Sequence, residues 1–204
     1  MVEITLKNII TNKDIGYIVF KYPIEITETM PPCYLKGFID EYQKNPDAFN
    51  ESYNIAKEAL LDLKKQNDLP NVIVGSSFGG AVLMKLIQEG HWSGPSVFLA
   101  SAHMKKEIRT EYGLPLWDSL PLDHRAIFIH SKTDALVLYQ DSVDTIANTK
   151  ERNGDEGILE LWTARSPSLD KDQCGNHRLH EISKDGSLRR AVAILTGMKI
   201  TEND

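Results

Sequence analysis

The sequence predicts an α/β protein, a three-layer α/β/α sandwich on a mostly parallel sheet. Three observations predict it. Short apolar runs recur along the chain, amphipathic helical stretches separate them, and the runs are nearly all apolar instead of alternating with polar residues. Strands that are apolar throughout are covered on both faces. Strand–helix–strand alternation joins parallel neighbours by right-handed crossovers.

The runs are Tyr17–Phe20, Val72–Val74, Val97–Leu99, Ala126–Ile129 and Ile158–Trp162. A helix capped by Asn50 or Ser52 is expected through about Lys65, with Ala56, Ala59, Leu60 and Leu63 on one face. A second is expected from about Phe78 to Glu89, stopped by Gly90. A third, about Tyr139–Arg152, groups Val143, Ile146 and Ala147 and stops near Gly154. The last, about Ser187–Leu195, turns Leu188, Val192 and Leu195 inward and ends at Gly197. No repeat, low-complexity tract or linker divides the chain, so residues 1–204 read as a single domain.

Composition narrows the function classes. The 204 residues carry 23 Lys+Arg against 29 Asp+Glu, a net charge of −6. Clustered positive charge is the footprint of nucleic-acid binding, and no Lys/Arg-rich block supplies it. The apolar runs are far short of the ~20 residues of a membrane span. Met1–Asn12 carries Glu3, Lys7 and Asn8 within its apolar pattern, unlike a signal peptide. Cys33 and Cys174 are too few for a secreted disulfide scaffold of this length. The expectation is a cytoplasmic protein with two free thiols and neither nucleic acid nor membrane as partner.

The chemistry concentrates in Asn71-Val72-Ile73-Val74-Gly75-Ser76-Ser77-Phe78-Gly79-Gly80. Gly75-x-Ser77-x-Gly79 lies between an apolar run and a helix, where a tight strand-to-helix turn lifts a serine hydroxyl clear of the sheet. Glycines two before and two after it let strand and helix approach without Cβ clashes. The helix N-terminus favours a developing oxyanion, and the amide of Phe78 is its natural first donor. A serine of this kind needs a base, and the base an orienting acid. Asp134 follows the run Ala126–Ile129 by a few residues, placed to serve as that acid, or to turn the chain or cap the next helix. His130 is expected to pack at the strand end beneath it. After the last run, Cys174-Gly175-Asn176-His177-Arg178-Leu179-His180 offers His177 as the general base, with His180 as runner-up. Cys174, His177 and His180 lack a further ligand cluster at zinc spacing, so no metal site is expected.

Gly75-Ser76-Ser77-Phe78-Gly79-Gly80, His130-Ser131-Lys132-Thr133-Asp134 and Asn176-His177-Arg178-Leu179 resemble, in order and spacing, the α/β-hydrolase superfamily. They are most similar to its small, lidless serine hydrolases. The resemblance runs from about Gly16 to the C-terminus. It implies a reduced α/β-hydrolase fold, with Ser77 as nucleophile, Asp134 as acid and His177 as base. It also implies hydrolysis of an ester or thioester without a cofactor. About 25 residues separate Ser101 from the next run, too few for a helical lid, which favours small or exposed acyl substrates.

Such hydrolases carry a strand ending in His-Gly whose loop gives the second oxyanion donor. Leu6–Thr11 and Gly16–Pro23 resemble the helix and strand that follow that loop, so the His-Gly strand would fall before Met1. The expectation is an N-terminally shortened form, or a second donor from the Tyr22–Glu28 loop. The alternative is a catalytically impaired hydrolase fold that binds a ligand or partner. An exposed first strand would favour a homodimer.

Overall fold

A computed structural model describes residues 47–154, 157–164 and 186–199 of the protein. The expected strand Tyr17–Phe20, the Tyr22–Glu28 loop, both cysteines, His177 and His180 lie outside the described residues.

Four strands are described: β1 (Ile73–Ser76), β2 (Ser96–Leu99), β3 (Ala126–His130) and β4 (Leu159–Thr163). They form a parallel sheet in the order β1-β2-β3-β4. The register pairs Ser76 with Leu99, Leu99 with Ile129 and Ile129 with Trp162, so the strands end level along one edge. The helices are α1 (Ala48–Lys65), α2 (Phe78–Gln88), α3 (Lys106–Glu111), α4 (Tyr139–Asn153) and α5 (Ser187–Thr196).

Strand pleating sorts the core into two layers. On one face, Phe98 and Phe128 stack at 4.6 Å between ring centroids and pack with residues of α1, α2 and α4. On the other, Val97, Leu99, Ile127 and Ile129 meet Leu188, Ala191, Val192 and Leu195 of α5. Helices on both faces explain why β2 and β3 are buried at every position. The result is the three-layer α/β/α arrangement that the uninterrupted apolar runs predict. β4 departs from that pattern: its residues are half-buried or exposed, and Glu160 and Thr163 are open to solvent.

α2 is apolar on nearly all sides because it lies between the sheet and α1. Its Lys85 runs its stem along that interface. The ammonium lies 4.2 Å from the Tyr53 ring centroid and 3.8 Å from Glu89. α1 begins at Ala48, ahead of the expected Asn50 or Ser52 cap, because Phe49 is itself a core residue. Its buried stripe is Phe49, Tyr53, Ala56 and Leu60, with Ala59 and Leu63 half-buried beside it.

α4 corrects the expectation most. Val143 and Ile146 are only half-buried and Ala147 is exposed, whereas Ser142, Thr145 and Thr149 face inward. The buried stripe is a row of hydroxyls. Each has a partner within the protein, so the helix is fixed by hydrogen bonds where apolar packing was expected.

No helix among the described residues is long and apolar enough to cross a membrane. The two core layers make a stability prediction. Phe128→Ala should cost about 3–5 kcal/mol and Ile127→Val about 0.5–1.5 kcal/mol, read from urea unfolding midpoints.

Candidate active site

Because the strands are parallel, the loops after β1, β2 and β3 meet at one edge of the sheet, where open α/β sheets hold their ligands. Ser77 stands at that edge between β1 and α2, with φ 49° and ψ −118°. A non-glycine residue at positive φ is strained, at a cost of about 1–3 kcal/mol, and persists only where its surroundings enforce it. They do so here. The Ser77 amide donates to the Leu99 carbonyl at 2.8 Å, and its carbonyl accepts from Gly80 at 3.0 Å and Ala102 at 2.9 Å. The turn is thus tied to its own helix and to the loop after β2.

The crowding expected around this turn is present at Gly75, where a Cβ would lie 2.8 Å from the Gly79 carbonyl oxygen and 2.9 Å from the Gly80 Cα. Gly80, three residues after the serine, is tight as well. A Cβ there would fall 2.2 Å from Ser101 Oγ. Ser77 itself is half-buried, reachable from solvent, while Phe78 is buried at the head of α2.

Asp134 lies in the loop after β3, and its side chain is fully buried. Oδ1 accepts from the amides of Leu136 (2.8 Å) and Val137 (2.9 Å), so the carboxylate does turn the chain. Oδ2 lies 3.3 Å from His130 Nε2. The same loop is tethered from outside by Lys105, whose Nζ donates to the Leu136 carbonyl at 2.7 Å. Two backbone donors and a ring nitrogen offset the desolvation of the carboxylate. Ser77 and Asp134 are therefore brought to one edge, on loops separated by β2. His177, the expected base, and His180 lie outside the described residues.

Sequence patterns did not single out His103. It is fully buried in the loop after β2, 6.1 Å from the ring centroids of both Phe98 and Phe128. Its Nδ1 is 2.8 Å from Ser101 Oγ and its Nε2 2.8 Å from Thr145 Oγ1. Thr145 Oγ1 in turn donates to the Asp141 carbonyl at 2.8 Å. A carbonyl only accepts, so the proton order follows: Ser101 O–H to Nδ1, Nε2–H to Thr145, Thr145 O–H to Asp141. Burial pushes the His103 pKa down to about 3, helped by nearby His130. With both nitrogens engaged and the ring held neutral, His103 braces the edge and cannot serve as a base. The helical spacing of Ser142, Thr145 and Thr149, with one histidine at a strand end and another just past one, was the available signal.

His130 is as buried as expected beneath Asp134. Its Nδ1 is 2.8 Å from Ser142 Oγ, and its Nε2 is 3.1 Å from the Val137 carbonyl. It too is held away from solvent and cannot reach an exposed substrate. The aromatic residues Trp92 and Trp117 are core, Tyr112 packs against that core, and Trp162 is half-buried on the α5 side. Among the described residues no cluster of three or more His, Cys, Asp or Glu could hold a metal ion.

No protein-family model matches the chain, and no curated protein matches it. Among solved structures, it is similar to prolyl oligopeptidase B from Galerina marginata, at 14% identity and a TM-score of 0.49, over 76% of this chain and 25% of that one. It is also similar to the esterase domain of a Rhodothermus marinus protein, at 13% identity and a TM-score of 0.43, over 69% of this chain and 67% of that one. The chain thus spans a quarter of the first protein's length. At these scores neither likeness carries chemistry across.

Buried neutral histidines make stability depend on pH. Burial also lowers the pKa of His124, beside Ser96, to about 4. In the unfolded chain a histidine takes a proton near pH ~6.5, and in the fold only near 3 to 4. The unfolded state therefore binds more protons in that window, and stability falls as pH falls through it. The loss should approach about 1.4 kcal/mol per pH unit for each histidine, seen as a lower urea midpoint near pH ~5 than near pH ~7. His124→Gln should flatten that dependence.

Proposed function

We propose that the chain is a serine hydrolase of α/β-hydrolase type, cleaving a small ester or thioester without a cofactor. The observation that carries this reading is the backbone of Ser77. It is forced to positive φ on a strand-to-helix turn too crowded for a Cβ at Gly75. Such strain at a half-exposed serine supports the reading of a nucleophile held clear of its sheet. Asp134, buried and oriented on the loop after β3, supports the same reading. The order Ser77, Asp134, His177 along the chain is the order this architecture requires.

In the proposed cycle Ser77 Oγ attacks the acyl carbon as its proton passes to His177. The tetrahedral oxyanion is held by the Phe78 amide at the head of α2, where the helix dipole is positive. His177 then gives its proton to the departing alcohol or thiol, leaving an acyl group on Ser77. Water, deprotonated by His177, releases the acid and restores the serine. Asp134 holds the imidazole in the tautomer that accepts from Ser77.

Residues 100–125 support a small substrate. They carry only the six-residue α3, and they turn Trp117 and Leu120 into the core. The test is hydrolysis of short-chain p-nitrophenyl esters. Ser77→Ala should lower turnover by at least about 10³-fold and leave the circular dichroism spectrum unchanged. Parent-like turnover by the alanine variant would remove Ser77 from the mechanism.

A further inference from the structure

We propose that His130 is a positioning residue for Asp134, acting through its Nε2–H on the carboxylate oxygen Oδ2. The inference rests on the hydrolase reading and deepens it.

The geometry fixes the ring. Nε2 lies 3.1 Å from the Val137 carbonyl, which only accepts, so the proton sits on Nε2. Nδ1 and the Ser142 hydroxyl share a hydrogen bond of 2.8 Å, so α4 anchors the far side of the imidazole. The Tyr139 ring stands edge-on at 5.7 Å between centroids and limits rotation of the imidazole from a further side. Within this frame Nε2 lies within reach of two acceptors, Val137 O and, 3.3 Å away, Asp134 Oδ2.

The two carboxylate oxygens are thus held differently. Oδ1 is claimed by the amides of Leu136 and Val137, and Oδ2 is steered by His130. Any base that Asp134 orients meets a carboxylate whose rotation is set from beneath. His130 is closed off from solvent, so its proposed effect on turnover passes through Asp134.

Glutamine and asparagine separate this role from packing. Glutamine can place an N–H donor near the position of the imidazole Nε2, whereas asparagine reaches only the Nδ1 position. In a steady-state assay with a short-chain ester, His130→Asn should lower kcat by about 10–100-fold with KM little changed, as expected for the loss of one hydrogen bond to a charged group. His130→Gln should keep at least about ten times the kcat of His130→Asn. Equal losses in the two variants, or no loss in His130→Asn, would overturn the inference while the parent's turnover leaves the hydrolase reading intact. A parent with neither turnover nor Ser77 modification would overturn both.

Because the site is buried, a measurement on the parent protein guards against variants that fail to fold. Imidazole nitrogen NMR should find a proton on His130 Nε2, and Asp134→Asn should shift that resonance. A ring with no proton on Nε2, or a resonance indifferent to Asp134, would overturn the inference.

Discussion

The closeness of α2 to β1 is the constraint on which the rest of the edge depends. At Gly75 the helix backbone comes so near the strand that a single methyl group would meet a carbonyl oxygen and a Cα. Backbone atoms cannot rotate away as a side chain can, so the approach requires glycine. Closing the turn this tightly leaves Ser77 no relaxed conformation, and its positive φ follows. Ser101 then wedges against Gly80 and joins the loop after β2 to the same turn. The serine's exposure follows from packing behind it.

Hydrogen bonds hold the remainder of the edge where apolar packing would be expected. His103 and His130 are buried among apolar residues, yet every ring nitrogen has a partner, and α4 supplies one for each through Thr145 and Ser142. Unpaired, such groups would each cost about 1–3 kcal/mol; paired, they fix a loop more uniquely than apolar contacts do. The loops after β2 and β3 are consequently braced against one helix, with Lys105 linking one to the other. Loops braced in this way have the rigidity that orientation-dependent chemistry needs.

The middle of the sheet was legible because β2 and β3 are buried on both faces, which leaves an unbroken apolar signature. Ser77 and Asp134 were legible for a related reason. A residue a few positions past a parallel strand lands on the carboxyl-end edge of the sheet whatever the rest of the chain does. The inner face of α4 was not legible. Apolar periodicity points to Val143, Ile146 and Ala147, but the helix faces two buried histidines there and turns hydroxyls toward them. His103 and Thr145 are 42 residues apart, and no local spacing encodes their contact. The tightness at Gly80 was not legible, because it is set by Ser101 after β2. His177 lies outside the described residues, so its role remains a reading of sequence order.

Whether this edge activates the Ser77 hydroxyl is read most directly by fluorophosphonate labelling followed by intact mass. The strained, braced turn predicts one adduct per chain on the parent protein and none on Ser77→Ala. Labelling that survives the substitution, or a well-folded parent that takes no label, would contradict the account.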